Sequence, residues 1–388
     1  MTPSPTAPGH FTAPRYGSGS VADLLPSVLC ALGAGGTDPL GLADRLAGVR
    51  RVAVLLVDGL GHHLLPIAAP VAPVLAGASR LPGLTAGFPS TTPTSLVSVG
   101  TGAPPGAHGV VGFTVRLPGT ERTFTHIRWD ADVDPRVWQP LDTQFDRAAA
   151  AGIHPYVVGG PQFADSGLTV AAYRGAAYRP ATGVPGTAAA VLAALSAADR
   201  TLVYGYVSEV DRAAHLAGPG SPPWLAAVAE ADTLVAGIAA GLPSDAALLV
   251  TADHGAVRVD DADRIDVDAA PELLAGTTVI TGEPRVRYVH TAPGALADVL
   301  AAWREALAGR ALVVTRDEAI QSGWYGPTTP AAAARIGDVV ALGTDRYVLT
   351  RSVAEPYEST FLGYHGSLTE AEMAVPLLLV RPGEAERR

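Results

Sequence analysis

Four stretches of the chain are dense in β-branched and other apolar residues with almost no polar alternation: VAVLLV at 52–57, HPYVVGG at 154–160, TLVYGYV at 201–207 and AALLVT at 246–251. Strands with one wet face alternate, whereas runs like these suit strands covered on both faces, as in a mostly parallel sheet between helices. Alanine-rich segments with helical character fall between them at 142–152, 186–198 and 222–242. A shorter apolar run at 21–34 is broken by GGTDP. Strand and helix patterns alternating at this scale predict an α/β fold with a mostly parallel central sheet sandwiched by helices.

The texture changes between 259 and 350. There TTVITG, RVRYVH, LADVLAAWREALAG, ALVVT, DVVALG and RYVLT read as a small α+β unit, and the strand-forming core pattern resumes over 363–380. The predicted organisation is a flexible or draped N-terminal arm at 1–20, a core built from 21–258 and 351–388, and a small cap-like α+β insertion at 259–350.

Composition narrows the functional classes. The chain has 388 residues, enough for a large core, and only 16% of them are charged, against about 25% in an average globular protein. The balance is 27 basic to 37 acidic residues, net −10, and all the basic side chains that carry fixed charge are arginine because there is no lysine. Duplex nucleic acid and anionic membranes are bound by basic faces, so neither is an expected partner. A single cysteine, Cys30, excludes an internal disulfide and a thiolate metal cluster. The N-terminus lacks the basic start and apolar run of a signal peptide, and no uncharged apolar stretch reaches about 18 residues, which predicts a soluble, cytoplasmic protein.

In parallel sheets functional side chains gather where strands end and helices begin. The polar residues at those points are Asp58 in VDGLG, Asp211 and His215 in SEVDRAAH, and Asp253 and His254 in ADHG; His365 in GYHGS joins them late in the chain. Each has an ordinary structural explanation: a helix cap, a surface pair at i and i+4, a turn, a core histidine. Three histidines and three carboxylates together, without cysteine, form an N/O ligand set suited to two divalent metal ions, zinc first and manganese second. The segment FPSTTPTSLVSVGTG at 88–102 adds a cluster of hydroxyls just before an apolar helix. A hydroxyl there would cap the helix and also sit in positive potential, which favours its alkoxide and a bound phosphate.

The order VDGLG, FPSTTPTS, TGAPPGAHGVVGF, YVSEVDRAAHLAG, TADHG and GYHGS resembles the nucleotide pyrophosphatase/phosphodiesterase branch of the alkaline phosphatase superfamily, over about 52–380. The resemblance implies an alkaline-phosphatase-like core and a hydrolase of phosphodiester or phosphoanhydride bonds acting on a small-molecule phosphodiester or nucleotide. It implies a first metal on Asp211, His215 and His365, and a second on Asp58, Asp253, His254 and the nucleophile. The family's nucleophile lies nine residues before the Thr-Gly that closes its helix, which matches Thr92, with Thr91 as its neighbouring alternative. A covalent phosphothreonine intermediate follows from that assignment.

One departure bears on rate and substrate. The family carries an asparagine five residues after the histidine of its HG motif; counting from His108 gives Phe113, and the chain has no asparagine at all. The Thr92 backbone N–H, the Thr114 hydroxyl and Arg128 are the candidate replacements. Alternatives in the same superfamily are a phosphomonoesterase or a phosphonate hydrolase; a non-catalytic metal- or nucleotide-binding relative is the alternative outside catalysis. The C/S-x-P-x-R frame of sulfatases is absent, and VDGLGHH only partly matches a dinucleotide-binding fingerprint. His62 and His63 are expected at an entrance or an exposed helix start, and Glu209, His108 and His126 in supporting roles. Tyr204, Tyr206, Trp129, Trp138 and Phe113 are expected in the core or pocket wall.

Overall fold

The computed structural model describes residues 11–382. Its centre is a seven-stranded sheet ordered Ser79–Arg80, Leu377–Val380, Ala246–Thr251, Arg51–Val57, Thr201–Val207, His154–Gly159, Ala177–Pro180. The last five are mutually parallel, while Leu377–Val380 runs antiparallel to Ala246–Thr251 and carries the short Ser79–Arg80 on its outer edge. The four unalternating runs in the sequence are thus four of these five parallel strands. Arg51–Val57 is buried at every position except its first, because helices cover both faces of the sheet.

Strand register sets where the chemistry can gather. Val57 pairs with Val207 and Leu56 with Thr251. The chain therefore leaves three adjacent strands at one edge of the sheet, at residues 58, 208 and 252. Helices Gly183–Leu195 and Pro222–Ala240 pack against one another beside it. Pro222–Ala240 is long and apolar enough to cross a membrane by length and composition. Here it buries Trp224, Val228, Leu234, Val235 and Ile238 in the main core, and its Asp232 accepts N–H groups of Val74 and Leu75.

The segment with changed texture forms a four-stranded antiparallel sheet ordered Thr277–Glu283, Val286–Thr291, Val339–Gly343, Ala311–Thr315. Alternate residues of its strands serve two cores. Val289, Val339, Ala341 and Val313 join Trp303 and Val299 of helix Leu296–Ala306 in a small separate core, whereas Val286, Tyr288, Val340, Leu342 and Val314 face the main one. Burial on both faces explains why VVALG shows no alternation.

The described part of the N-terminal arm is draped rather than flexible. Residues 11–20 lie against the body: Phe11 bridges to Thr369, the Arg15 N–H donates to the Thr85 hydroxyl, the Tyr16 hydroxyl donates to the Trp324 carbonyl, and Ser20 is fully buried. Residues 1–10 of that arm fall outside the described residues.

Candidate metal centre

Asp58 leaves the end of Arg51–Val57 and is buried, its N–H donating to the Val207 carbonyl and its Oδ2 accepting the Tyr206 hydroxyl. The next residue, Gly59, has φ 71°, and an added Cβ there would lie 3.0 Å from Asp211, so glycine lets the two segments close up. Asp253 follows Ala246–Thr251; its Oδ1 accepts the N–H groups of Gly59 and His254, both at 3.0 Å. Its Oδ2 is buried without a hydrogen-bond partner. His254 Nε2 stands 3.4 Å from Asp58 Oδ1 and 3.5 Å from Asp253 Oδ2.

Thr92 opens the helix Thr92–Thr101, and its Oγ1 lies 3.2 Å from His254 Nε2 and 3.5 Å from Asp58 Oδ1. Thr91, the residue before that helix, is fully buried and its hydroxyl has no hydrogen-bond partner. As the first helical residue, Thr92 also has an N–H without an intrahelical acceptor.

A second group abuts the first. Asp211 and His215 share one face of helix Glu209–Ala217, with His215 Nε2 3.1 Å from Asp211 Oδ2. His365 Nε2 is 3.3 Å from His215 Nε2 and 3.8 Å from Asp211 Oδ1, and Asp211 Oδ1 is buried without a hydrogen-bond partner. The rings of His254 and His365 stack, which makes them a shared wall between the groups.

All three imidazoles are anchored by the nitrogen away from the centre. His215 Nδ1 contacts the Gly363 carbonyl at 2.8 Å, His365 Nδ1 the Ser90 carbonyl at 2.9 Å, and His254 Nδ1 the Gly255 carbonyl at 3.0 Å. A carbonyl only accepts, so each proton belongs on Nδ1 and each Nε2 lone pair is left facing the cluster.

The electrostatics call for positive charge. Burial, then the charges of Asp253 and Asp211, push the Asp58 carboxyl well above the usual carboxylate range. Burial also raises Asp211, but His215, His365 and His254 outweigh it and hold its carboxyl below that range. Burial and the neighbouring His254 push His365 well below the usual imidazole range. Burial lowers His215 too, but Asp211 more than offsets it and leaves its imidazole raised. Among the described residues no arginine pairs with Asp58, Asp211 or Asp253.

Asp58, Asp253 and His254 form one group, and Asp211, His215 and His365 another; in each, one donor atom per residue can be chosen so that all lie within 4.8 Å of one another. Imidazole Nε2 atoms, carboxylates and two orphaned carboxylate oxygens fit divalent ions that accept N/O ligands.

The neighbouring candidates fall elsewhere. His108 Nε2 meets the Ser98 hydroxyl at 2.9 Å and its Nδ1 accepts the Val110 N–H, while His126 Nε2 accepts the Trp138 indole N–H; both rings are buried structural groups. His62 and His63 occupy a short turn, with His63 exposed beside Glu370, and Glu209 is exposed and accepts the N–H of Ser208. The Thr114 hydroxyl donates to the Gly282 carbonyl of the inserted sheet, so its proton is committed there. Tyr204 is core, while Tyr206 reaches Asp58.

Three contributors carried no signal in the sequence. Phe361 packs on the His215 ring with centroids 4.7 Å apart, Ser90 anchors His365, and Glu283 from the inserted sheet places Oε2 3.8 Å from His365 Nδ1. Burial pushes the Glu283 carboxyl well above its usual range.

Solved structures with the same architecture include the murine ectonucleotide pyrophosphatase/phosphodiesterase 5, 20% identical over 86% of this chain and 88% of that one, with a TM-score of 0.68. The human ectonucleotide pyrophosphatase/phosphodiesterase 5 is 18% identical over the same shares, at 0.66. Phosphonoacetate hydrolase from Sinorhizobium meliloti 1021 is 21% identical over 86% of this chain and 90% of that one, at 0.65. These likenesses establish an alkaline-phosphatase-like fold. No curated protein sequence matches the chain. The sequence profile that does match spans residues 52–368, from the first central strand through the loop bearing His365, and with it the chain belongs to the type I phosphodiesterase / nucleotide pyrophosphatase family.

Proposed function

We propose that this protein hydrolyses phosphodiester or phosphoanhydride bonds of nucleotide-like substrates, with Thr92 as nucleophile. The observation that carries the reading is the Thr92 hydroxyl itself: half-buried, at a helix N-terminus, and within 3.5 Å of both His254 and Asp58. Asp211, His215 and His365 would hold one divalent ion, and Asp58, Asp253, His254 and Thr92 the other. Zinc is the first choice for both and manganese the second. When bound, such ions supply the positive charge that lowers the pKa of a hydroxyl and stabilises charge developing on phosphoryl and leaving oxygens.

The chain's own residues set the geometry. His254 and Asp58 fix the position of Thr92 Oγ1, and the carbonyl anchors on Nδ1 hold the three imidazoles oriented with Nε2 toward the cluster. The Thr92 N–H, free of any helical acceptor, can donate to a phosphoryl oxygen in place of the family's asparagine amide. Thr92 Oγ1 bonds to phosphorus as the bond to the leaving oxygen opposite it breaks, and the proton it gives up passes through solvent to the departing alcohol or phosphate. Water then cleaves the phosphothreonine ester and restores the hydroxyl.

Nucleotides are favoured because an inactive threonine-to-alanine variant of the murine pyrophosphatase/phosphodiesterase 5 is known in complex with AMP. A second reading, hydrolysis of a phosphonate, is prompted by the equally extensive likeness to a phosphonoacetate hydrolase. Rates on bis-p-nitrophenyl phosphate, p-nitrophenyl phosphate, a dinucleoside polyphosphate and phosphonoacetate separate the two, with metal content measured on the same preparation. A preference for the monoester or the phosphonate would overturn the diesterase assignment.

A further inference from the structure

One buried carboxylate beside the centre has no task in the reaction just described. Glu283 ends the strand Thr277–Glu283 of the inserted sheet, is buried, and its Oε1 has no hydrogen-bond partner. Its Oε2 faces His365 Nδ1 at 3.8 Å, on the side of the ring away from the Nε2 that meets His215. The two nearby guanidinium groups are engaged elsewhere, Arg285 bidentate on Glu372 and Arg287 bidentate on Glu355.

The placement is built into the fold. Arg285 is fully buried and also donates to the carbonyls of Asp345 and Tyr347, while Glu372 accepts the Ser367 N–H at 3.0 Å. Gly366 has φ 134°, and a Cβ there would lie 2.8 Å from Glu283 Cδ and 3.2 Å from Arg285 Cβ. The hairpin at 283–285 is therefore packed directly on the loop that carries His365. With Oε1 unpartnered and burial pushing its carboxyl well above the usual range, Glu283 ionises only where nearby positive charge compensates it.

We propose that Glu283 is a positioning residue of the metal centre: held behind His365 by the inserted sheet, its carboxylate strengthens the His365 imidazole as a ligand for a divalent cation. The inference rests on the metal reading above. A cation drawing electron density from Nε2 polarises the Nδ1–H, whose proton the Ser90 carbonyl accepts, and negative charge 3.8 Å from the same nitrogen raises the donor strength of the ring. Burying this carboxyl costs the metal-free fold, so replacing it by an amide acts with opposite sign on the two states.

Zinc competition against a chromogenic chelator, with the wild type and Glu283→Gln, reads this directly, alongside thermal unfolding of both proteins stripped with EDTA. Glutamine keeps the shape and removes the charge. The expected result is one of two zinc sites weakened about tenfold or more, the other within about twofold, and a stripped form that melts at the same or a higher temperature. Glu283→Asp, which retains a charge, should recover part of the lost affinity. Unchanged affinity at both sites overturns the inference, and so does a glutamine variant that loses affinity and stripped-state stability together or fails to fold, because the carboxylate is then structural. A wild type that takes up no zinc or manganese instead removes the metal reading itself, before any variant is compared.

Discussion

The imidazoles of His254 and His365 lie face to face, with centroids 3.6 Å apart and planes 14° from parallel. One ring belongs to each candidate ligand group, so neither group can be altered without touching the wall of the other. His365→Ala removes a candidate ligand from one and packing from the other. The wild type should hold two equivalents of divalent metal after gel filtration, and the variant about one, with turnover of bis-p-nitrophenyl phosphate reduced on the order of 10³-fold. Two retained equivalents with normal turnover would show that His365 is not a ligand.

Thr91 and Thr92 are adjacent, but only Thr92 Oγ1 meets His254 and Asp58. Thr92→Ala should lower turnover by about 10⁴-fold or more, as removal of a nucleophile does, and Thr92→Ser should retain a measurable fraction. Thr91→Val should stay within about threefold of the wild type, since its hydroxyl makes no capping hydrogen bond. Trapping with labelled substrate followed by peptide mass mapping gives an independent check, with the phosphoryl mass expected on Thr92.

Burial holds His108 and His126 down at about 3, with a further push from neighbouring positive groups including Arg335. In the unfolded chain each would titrate near the ordinary histidine value, about 6.5. Below that pH the unfolded chain binds protons that the folded state refuses. Stability is therefore fully present above about pH 6.5 and declines as pH falls toward 3, by roughly 1 kcal/mol per pH unit for each ring. Urea unfolding of EDTA-treated protein between pH 7 and 5 should show that slope, and His126→Phe should flatten it. An identical slope in the variant would rule out this origin for the acid sensitivity.

Arg285 and Glu372 form an ion pair in which both side chains are fully buried. Truncating one partner leaves the other charge stranded, so Arg285→Ala should destabilise the fold by about 3–5 kcal/mol, while replacing both by apolar residues of similar size should cost much less. Denaturant midpoints of the two single variants and the double variant test the coupling; additive losses would mean that the pair does not act as a unit.

How much was legible follows from the physics of each element. Arg51–Val57, Thr201–Val207 and Ala246–Thr251 announced themselves because a strand covered on both faces has no reason to alternate. Asp58, Asp211 and Asp253 then stood out as acids following those strands, and the i, i+4 spacing of Asp211 and His215 implied a shared helical face. Glu283 could not be found this way. Its segment TTVITGE ends in a polar residue, as many strands do, and only the packing of the hairpin on Gly366 turns that carboxylate inward. The pairing of Thr114 with Gly282 was equally hidden, since it depends on the inserted sheet lying over the Thr114–Arg116 hairpin.

The amino-acid sequence by itself determined the α/β architecture, the order of the strands along the chain and the residue types available for chemistry, because hydrophobic period and turn composition act locally. Only the tertiary structure decided which donor atoms meet, which of two neighbouring threonines faces them, and which partner anchors each histidine. Those outcomes depend on strand register and on contacts between segments far apart in the chain, such as Ser90 with His365, and no local pattern encodes a distance between them.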